Sequence, residues 1–181
     1  MDGRDMNAVF TNFSRFFGRL SVRQIFSALA VSPLGILGAG VILGELVHLK
    51  VCYLCNFQRF MYLVMAFFAL WGVLLPRAYR LFGGLYALTA LVGAGTAIYQ
   101  SWMQFAPDTV AECGFGDPTL IERTVDWLSL QWPTLFMVTG LCAEKDWIFL
   151  GLTLANWSTL VFLSFFAALF WLLLCYRPKN A

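Results

Sequence analysis

Four long stretches of this chain carry no Asp, Glu, Lys or Arg: residues 24–44, 60–76, 81–107 and 147–176, which hold 21, 17, 27 and 30 residues. A helix needs ~20 apolar residues to cross the ~30 Å hydrocarbon core of a bilayer. The pattern therefore predicts four membrane-spanning helices, at about 25–47, 55–75, 81–105 and 148–176. The second window reaches spanning length when extended back to Cys55, which puts Arg59 in the first turns, where a long side chain can snorkel to the interface. Pro76 closes that helix. The first window holds Pro33 and four glycines, which membrane helices tolerate. Gly40 and Gly44 form a GxxxG, readable as a helix-packing motif or as ordinary membrane composition. A cleaved signal peptide is the rival for this window; its length and late start favour a retained helix.

Between the helices, residues 46–54 form a short connection and 106–147 a long one. The long segment has apolar residues at helical spacing (Leu120, Val125, Trp127, Leu128, then Trp132, Leu135 and Phe136), which predicts a short amphipathic helix lying on the membrane. A connection of this length predicts a function. Phe10, Phe13, Phe16, Phe17 and Leu20, interleaved with Arg15 and Arg19, predict a second interfacial helix in the N-terminal arm. The expected fold is an all-α membrane protein: one domain over 1–181, a four-transmembrane-helix bundle with a short interfacial helix in its second outer loop. Trp102, Trp147, Trp171 and Tyr176 fall near helix ends, as in an aromatic belt.

Composition agrees. Hydrophobic residues make up 60% of the 181 and charged residues 12%, about half the usual ~25% share. A soluble domain of this size could not hide so much apolar surface. This excludes a soluble enzyme, a disordered chain and a nucleic-acid binder. Eight of the twelve basic residues (Arg4, Arg15, Arg19, Arg23, Arg77, Arg80, Arg177 and Lys179) fall on one side of the predicted topology. That side should be cytoplasmic, with both termini. The long segment on the other side has seven acids against two basic residues, a formal −5.

Chemistry enters with five cysteines: Cys52, Cys55, Cys113, Cys142 and Cys175. The topology puts the first four outside, where an oxidising compartment favours disulfides. The natural pairing is Cys52 with Cys55 and Cys113 with Cys142, one pair per outer segment. A Cys-x-x-Cys ring is a poor staple, because it constrains little of the unfolded chain; its spacing is that of a redox dithiol. Cys55 at a helix N-terminus gains from the helix dipole as a thiolate. Arg59, four residues on, shares its face. A zinc knuckle is the alternative, though the second pair lacks a close spacing. The Cys113–Cys142 pair reads either as a second redox pair, in a loop made mobile by Gly114, Gly116 and Gly140, or as a staple. Cys175 reads as a small apolar helix residue, and His48 as an interfacial polar residue. No Gly-rich nucleotide fingerprint is present.

The run Cys52-Tyr53-Leu54-Cys55-Asn56-Phe57-Gln58-Arg59 resembles the membrane quinone-dependent thiol oxidases of the disulfide bond formation protein B (DsbB) family, where an Arg follows the second Cys by four positions. Gly140-Leu141-Cys142-Ala143-Glu144-Lys145-Asp146-Trp147 is similar to the stretch around that family's last essential cysteine, and its DsbI branch has a similar loop. The resemblance covers roughly residues 25–175 and implies a bacterial inner-membrane enzyme. A periplasmic thioredoxin-like oxidase of the DsbA type would attack the Cys113–Cys142 disulfide and form a mixed disulfide at Cys113. Cys142 would then attack Cys52 and release Cys55 beside a membrane quinone, ubiquinone or menaquinone. The resemblance puts Arg59 near the quinone head group and matches Gln104 to a family glutamine there. Tyr99-Gln100-Ser101-Trp102-Met103-Gln104 lacks a histidine common in that helix. Two rivals stand beside this: a membrane scaffold or channel with the cysteines as staples, and a reductase sending electrons outward. Against a channel, the predicted spans bury no Asp, Glu, Lys or Arg to line a polar path.

Overall fold

The computed structural model describes residues 21–105, 117–143 and 147–175. The expected N-terminal interfacial helix, Cys113, the charged run 144–146 and the tail from Tyr176 lie outside them. The fold is mostly helical. Helix α1 (Val22–Leu46) starts in a capping box: the Ser21 side chain accepts from the Gln24 N–H, and the Gln24 side chain returns to the Ser21 N–H. Helix α2 (Tyr53–Leu74) is capped by Cys52, whose sulfur accepts the Cys55 N–H at 3.3 Å. Pro76 ends α2 and opens a 3-10 turn, Pro76–Ala78, that feeds helix α3 (Tyr79–Phe105). These three helices, α3 counted from Pro76, are long and apolar enough to cross a membrane.

The long connection after α3 contains the amphipathic helix expected there, α4 (Leu120–Gln131). Thr119 and Glu122 make a reciprocal capping box at its start. Val125 and Leu128 turn inward, while Leu120, Trp127 and Leu130 are exposed. Pro133 starts a single further turn, α5 (Pro133–Phe136), that buries Phe136.

The last helix departs from expectation. It is α6 (Leu154–Cys175), 22 residues long, and not a helix from 148. Ile148–Phe149 (β1) pairs antiparallel with Leu152–Thr153 (β2) around a two-residue turn. Leu150 and Gly151 both have positive φ, 52° and 78°, as a primed hairpin turn requires. The absence of charge marked this stretch as apolar, which a hairpin of exposed Ile148, Phe149 and Leu150 satisfies as well as a helix does.

Helix α1 packs on α2, α2 on α3, and α3 on α6. The close approaches are set by glycines other than the GxxxG pair. Gly72 lies flush against the Phe26 ring, and Gly93 against the Phe162 ring. Phe162 in turn stacks on Tyr62, with centroids 4.4 Å apart and planes within 6°. A Cβ at Gly40 would meet open space, and one at Gly44 only the Arg59 guanidinium at 3.6 Å. Gly40 lines a cavity and Gly44 faces the Arg59 side chain, so neither glycine sets a close helix approach.

Candidate functional site

The Cys52–Cys55 pair stands at the N-terminus of α2 because α2 begins there: Cys52 is the cap and Cys55 closes the first turn. The two Sγ atoms lie 3.0 Å apart. Cys52 is 2% exposed and Cys142 1%, and both belong to one buried cluster with Leu54 and Met103. The Cys52 thiol is pushed well above its ordinary pKa. The Cys142 side chain hydrogen-bonded to it is the main cause, followed by Cys55 and by burial. Cys52 is the hydrogen-bond donor to the Cys55 sulfur.

Cys142 arrives beside Cys52 through a short backbone splice. The Thr139 N–H donates to the Val51 carbonyl at 2.8 Å, the Gly140 N–H to the same oxygen at 3.2 Å, and the Val51 N–H to the Thr139 hydroxyl at 2.9 Å. A Cβ at Gly140 would fall 2.6 Å from the Lys50 Cβ. This glycine is thus needed for close approach of two segments, not for loop mobility. Two further latches hold the same connection. Buried Asn56 donates from Nδ2 to the Phe136 and Met137 carbonyls at 2.7 and 3.2 Å. Arg59 donates from Nη1 to the Leu135 carbonyl at 2.7 Å.

Below the sulfurs, a cavity of about 190 Å³ lies between α1 and α6. Cys55, Gln58, Arg59, Gln100 and Gln104 give it a polar wall; Leu37, Tyr62, Trp157 and Val161 give it an apolar one. Of the six residues singled out in the sequence, Cys52, Cys55, Arg59 and Gln104 line this cavity, and Cys142 joins them by packing on Cys52. The sixth, Cys113, lies outside the described residues. His48 is exposed at a positive-φ turn. Sequence reasoning missed Gln58, Asn56 and Gln100, all buried. The available signal was three amides inside apolar helices, with Gln100 and Gln104 four apart and so on one face.

The model of the family described as disulfide bond formation protein DsbB matches residues 22–172. The chain belongs to this family. Among its relatives, Disulfide bond formation protein B of Dechloromonas aromatica is 46% identical over 144 residues, covering 80% of this chain and 87% of the relative. The protein of that name from Azoarcus sp. is 36% identical over 160 residues, covering 87% and 95%. That from Aromatoleum aromaticum is 38% identical over 142 residues, covering 76% and 84%. Family membership and the apolar helices make the chain a membrane protein of disulfide bond formation, with the thiol–disulfide chemistry that this entails.

Proposed function

We propose that the protein takes two electrons from a reduced periplasmic DsbA-type oxidase and delivers them, through its four cysteines, to ubiquinone or menaquinone. One observation carries this reading: Cys142 touches Cys52, Cys52 touches Cys55, and Cys55 opens on a cavity that Arg59 also lines. That is a continuous path for thiol–disulfide exchange from the long connection to a site inside the bundle.

Each step is an exchange between sulfurs. A partner thiolate attacks Cys113 of the Cys113–Cys142 disulfide and frees the Cys142 thiolate. Cys142 attacks Cys52 of the Cys52–Cys55 disulfide and expels Cys55 as a thiolate, which the α2 N-terminus stabilises. The partner's second thiol resolves its mixed disulfide and leaves oxidised. Cys113 then attacks Cys142, restoring that disulfide and returning Cys52 as a thiol. The net result is one partner disulfide made and one Cys52–Cys55 dithiol left reduced.

The cavity fits a quinone: it pairs flat apolar side chains with the Arg59 guanidinium and the Gln104 amide, both able to donate to carbonyl oxygens. When bound, a quinone supplies an acceptor for two electrons and two protons. The chain's part is to hold Cys55 at the cavity wall, keep Arg59 one turn deeper, and exclude water with the α1 and α6 side chains. The same reading makes the whole chain one membrane domain of four crossings in a bacterial inner membrane, both termini cytoplasmic. At 22 residues, α6 is ~33 Å long, enough for the fourth crossing. Amphipathic α4 then lies on the periplasmic face.

The test is a panel of purified single variants, Cys52→Ser, Cys55→Ser, Cys113→Ser and Cys142→Ser, assayed for partner-driven quinone reduction. Each should lose turnover. Full activity in Cys113→Ser or Cys142→Ser would reduce that pair to a staple.

A further inference from the structure

Both sulfurs of the Cys52–Cys55 pair meet a third group, a side-chain amide on the neighbouring helix. Gln100 on α3 is 3% exposed; its Nε2 lies 3.0 Å from the Cys55 Sγ and 3.3 Å from the Cys52 Sγ. Its other end is also engaged: the Gln58 Nε2 donates to the Gln100 Oε1 at 2.9 Å. Gln58 is itself buried, 4% exposed, one helical turn along from Cys55. We propose that Gln100 is a catalytic residue that donates its two amide hydrogens to the two redox sulfurs, and that Gln58 is a positioning residue that fixes which end of that amide faces them. The inference rests on reading Cys52–Cys55 as a redox pair.

The chemistry is directional. A primary amide presents two N–H donors at one end and a carbonyl acceptor at the other, and a half-turn exchanges them. With the carbonyl toward the sulfurs, negative charge on the pair would be repelled. Gln58 prevents this by occupying the carbonyl. The two donors are then matched in number to the two sulfurs. A hydrogen bond to a charged acceptor is much stronger than one to a neutral acceptor, and a disulfide sulfur is a weak neutral one. The amide therefore stabilises the reduced, anionic form of the pair more than the oxidised form. That makes Cys52–Cys55 a better acceptor for electrons arriving from Cys142. The amide itself does not titrate, so its two donors are present at every working pH, and their assistance grows with the thiolate fraction of the pair.

The experiment equilibrates the purified full-length protein with glutathione redox buffers, quenches with acid, alkylates, and maps the Cys52–Cys55 peptide. It needs neither partner nor quinone. Gln100→Met keeps the length of the side chain and removes the donors. It should shift the Cys52–Cys55 equilibrium toward the disulfide by about tenfold, the loss of one charge-assisted hydrogen bond, or ~30 mV to more negative potential for a two-electron couple. Gln58→Met should shift it the same way by less. The double variant should shift no further than Gln100→Met alone, because Gln58 acts through Gln100. An unchanged potential in Gln100→Met, or shifts that simply add, overturns the proposal. Should Gln100→Met fail to fold, Gln58→Met decides alone: a shift toward the disulfide supports the proposal and an unchanged potential overturns it. A wild-type pair that forms no disulfide in any buffer would instead overturn the functional reading beneath it.

Discussion

Replacing Arg59 with Ala separates the cavity's chemistry from that of the sulfurs. The guanidinium makes a 2.7 Å hydrogen bond to the Leu135 carbonyl and lines the cavity that Cys55 faces. Two interactions disappear together. The first ties the long connection to α2; the second is a cation on the cavity wall, which the proposed function assigns to a quinone oxygen. A hydrogen bond from a charged group contributes ~1.5–3 kcal/mol, so loss of the cavity contact should weaken quinone use roughly ten- to a hundredfold. The Leu135 tether is one of three holding the connection, with Asn56 and the Val51–Thr139 splice, so exchange between Cys142 and Cys52 should slow much less. Arg59→Lys should recover only part of the loss, since an ammonium cannot reach Leu135 and the cavity at once as a planar fork can. The assay measures the apparent quinone Michaelis constant and, separately, the rate of disulfide exchange with the reduced partner. An unchanged Michaelis constant and turnover in well-folded Arg59→Ala protein would refute the assignment. So would a quinone defect fully repaired by Lys.

Three further outcomes follow from the packing and the thiol order. Gly93→Ala should lower the thermal stability in detergent, by an overpacking cost of ~1–3 kcal/mol, because its methyl would meet the Phe162 ring; Gly84→Ala, facing open space, should be neutral or slightly stabilising. Asn56→Ala should slow exchange between Cys142 and Cys52, measured by stopped-flow alkylation, and should cost ~1–3 kcal/mol for the Phe136 and Met137 carbonyls left without their donor; an unchanged rate would show that the connection does not need that latch. Cys142→Ser should trap a mixed disulfide between Cys113 and the partner, identified by peptide mapping; a trapped link to Cys52 or Cys55 would show that the electron order is wrong.

Much of this site could be read from the sequence because its chemistry has unusual residue types. Charge-free windows located the helices within a few residues, Cys-x-x-Cys at a helix start located the sulfurs, and Arg59 followed from helical spacing. The failures have physical causes. Hydropathy reports where a segment can reside and not how its backbone folds, so the Ile148–Thr153 hairpin was absorbed into the last helix. Gly140 reads as mobility until Lys50 is seen packed against it. The Thr119–Glu122 capping box is legible in the sequence as a Thr followed three residues later by a Glu. Gln58, Asn56 and Gln100 act across helices, and no spacing within one element shows which buried amide will meet which sulfur or carbonyl.

The proposed function makes thiol oxidation and quinone reduction two ends of one path through Cys142, Cys52 and Cys55. The most direct measurement is an anaerobic titration in one cuvette, in which the purified protein, limiting reduced DsbA-type partner and excess quinone are followed by quinone absorbance and by partner thiol count. One quinone should disappear for each partner disulfide formed, and both processes should stop in Cys55→Ser protein. Partner oxidation that proceeds without quinone loss, or continues in Cys55→Ser, would contradict the account.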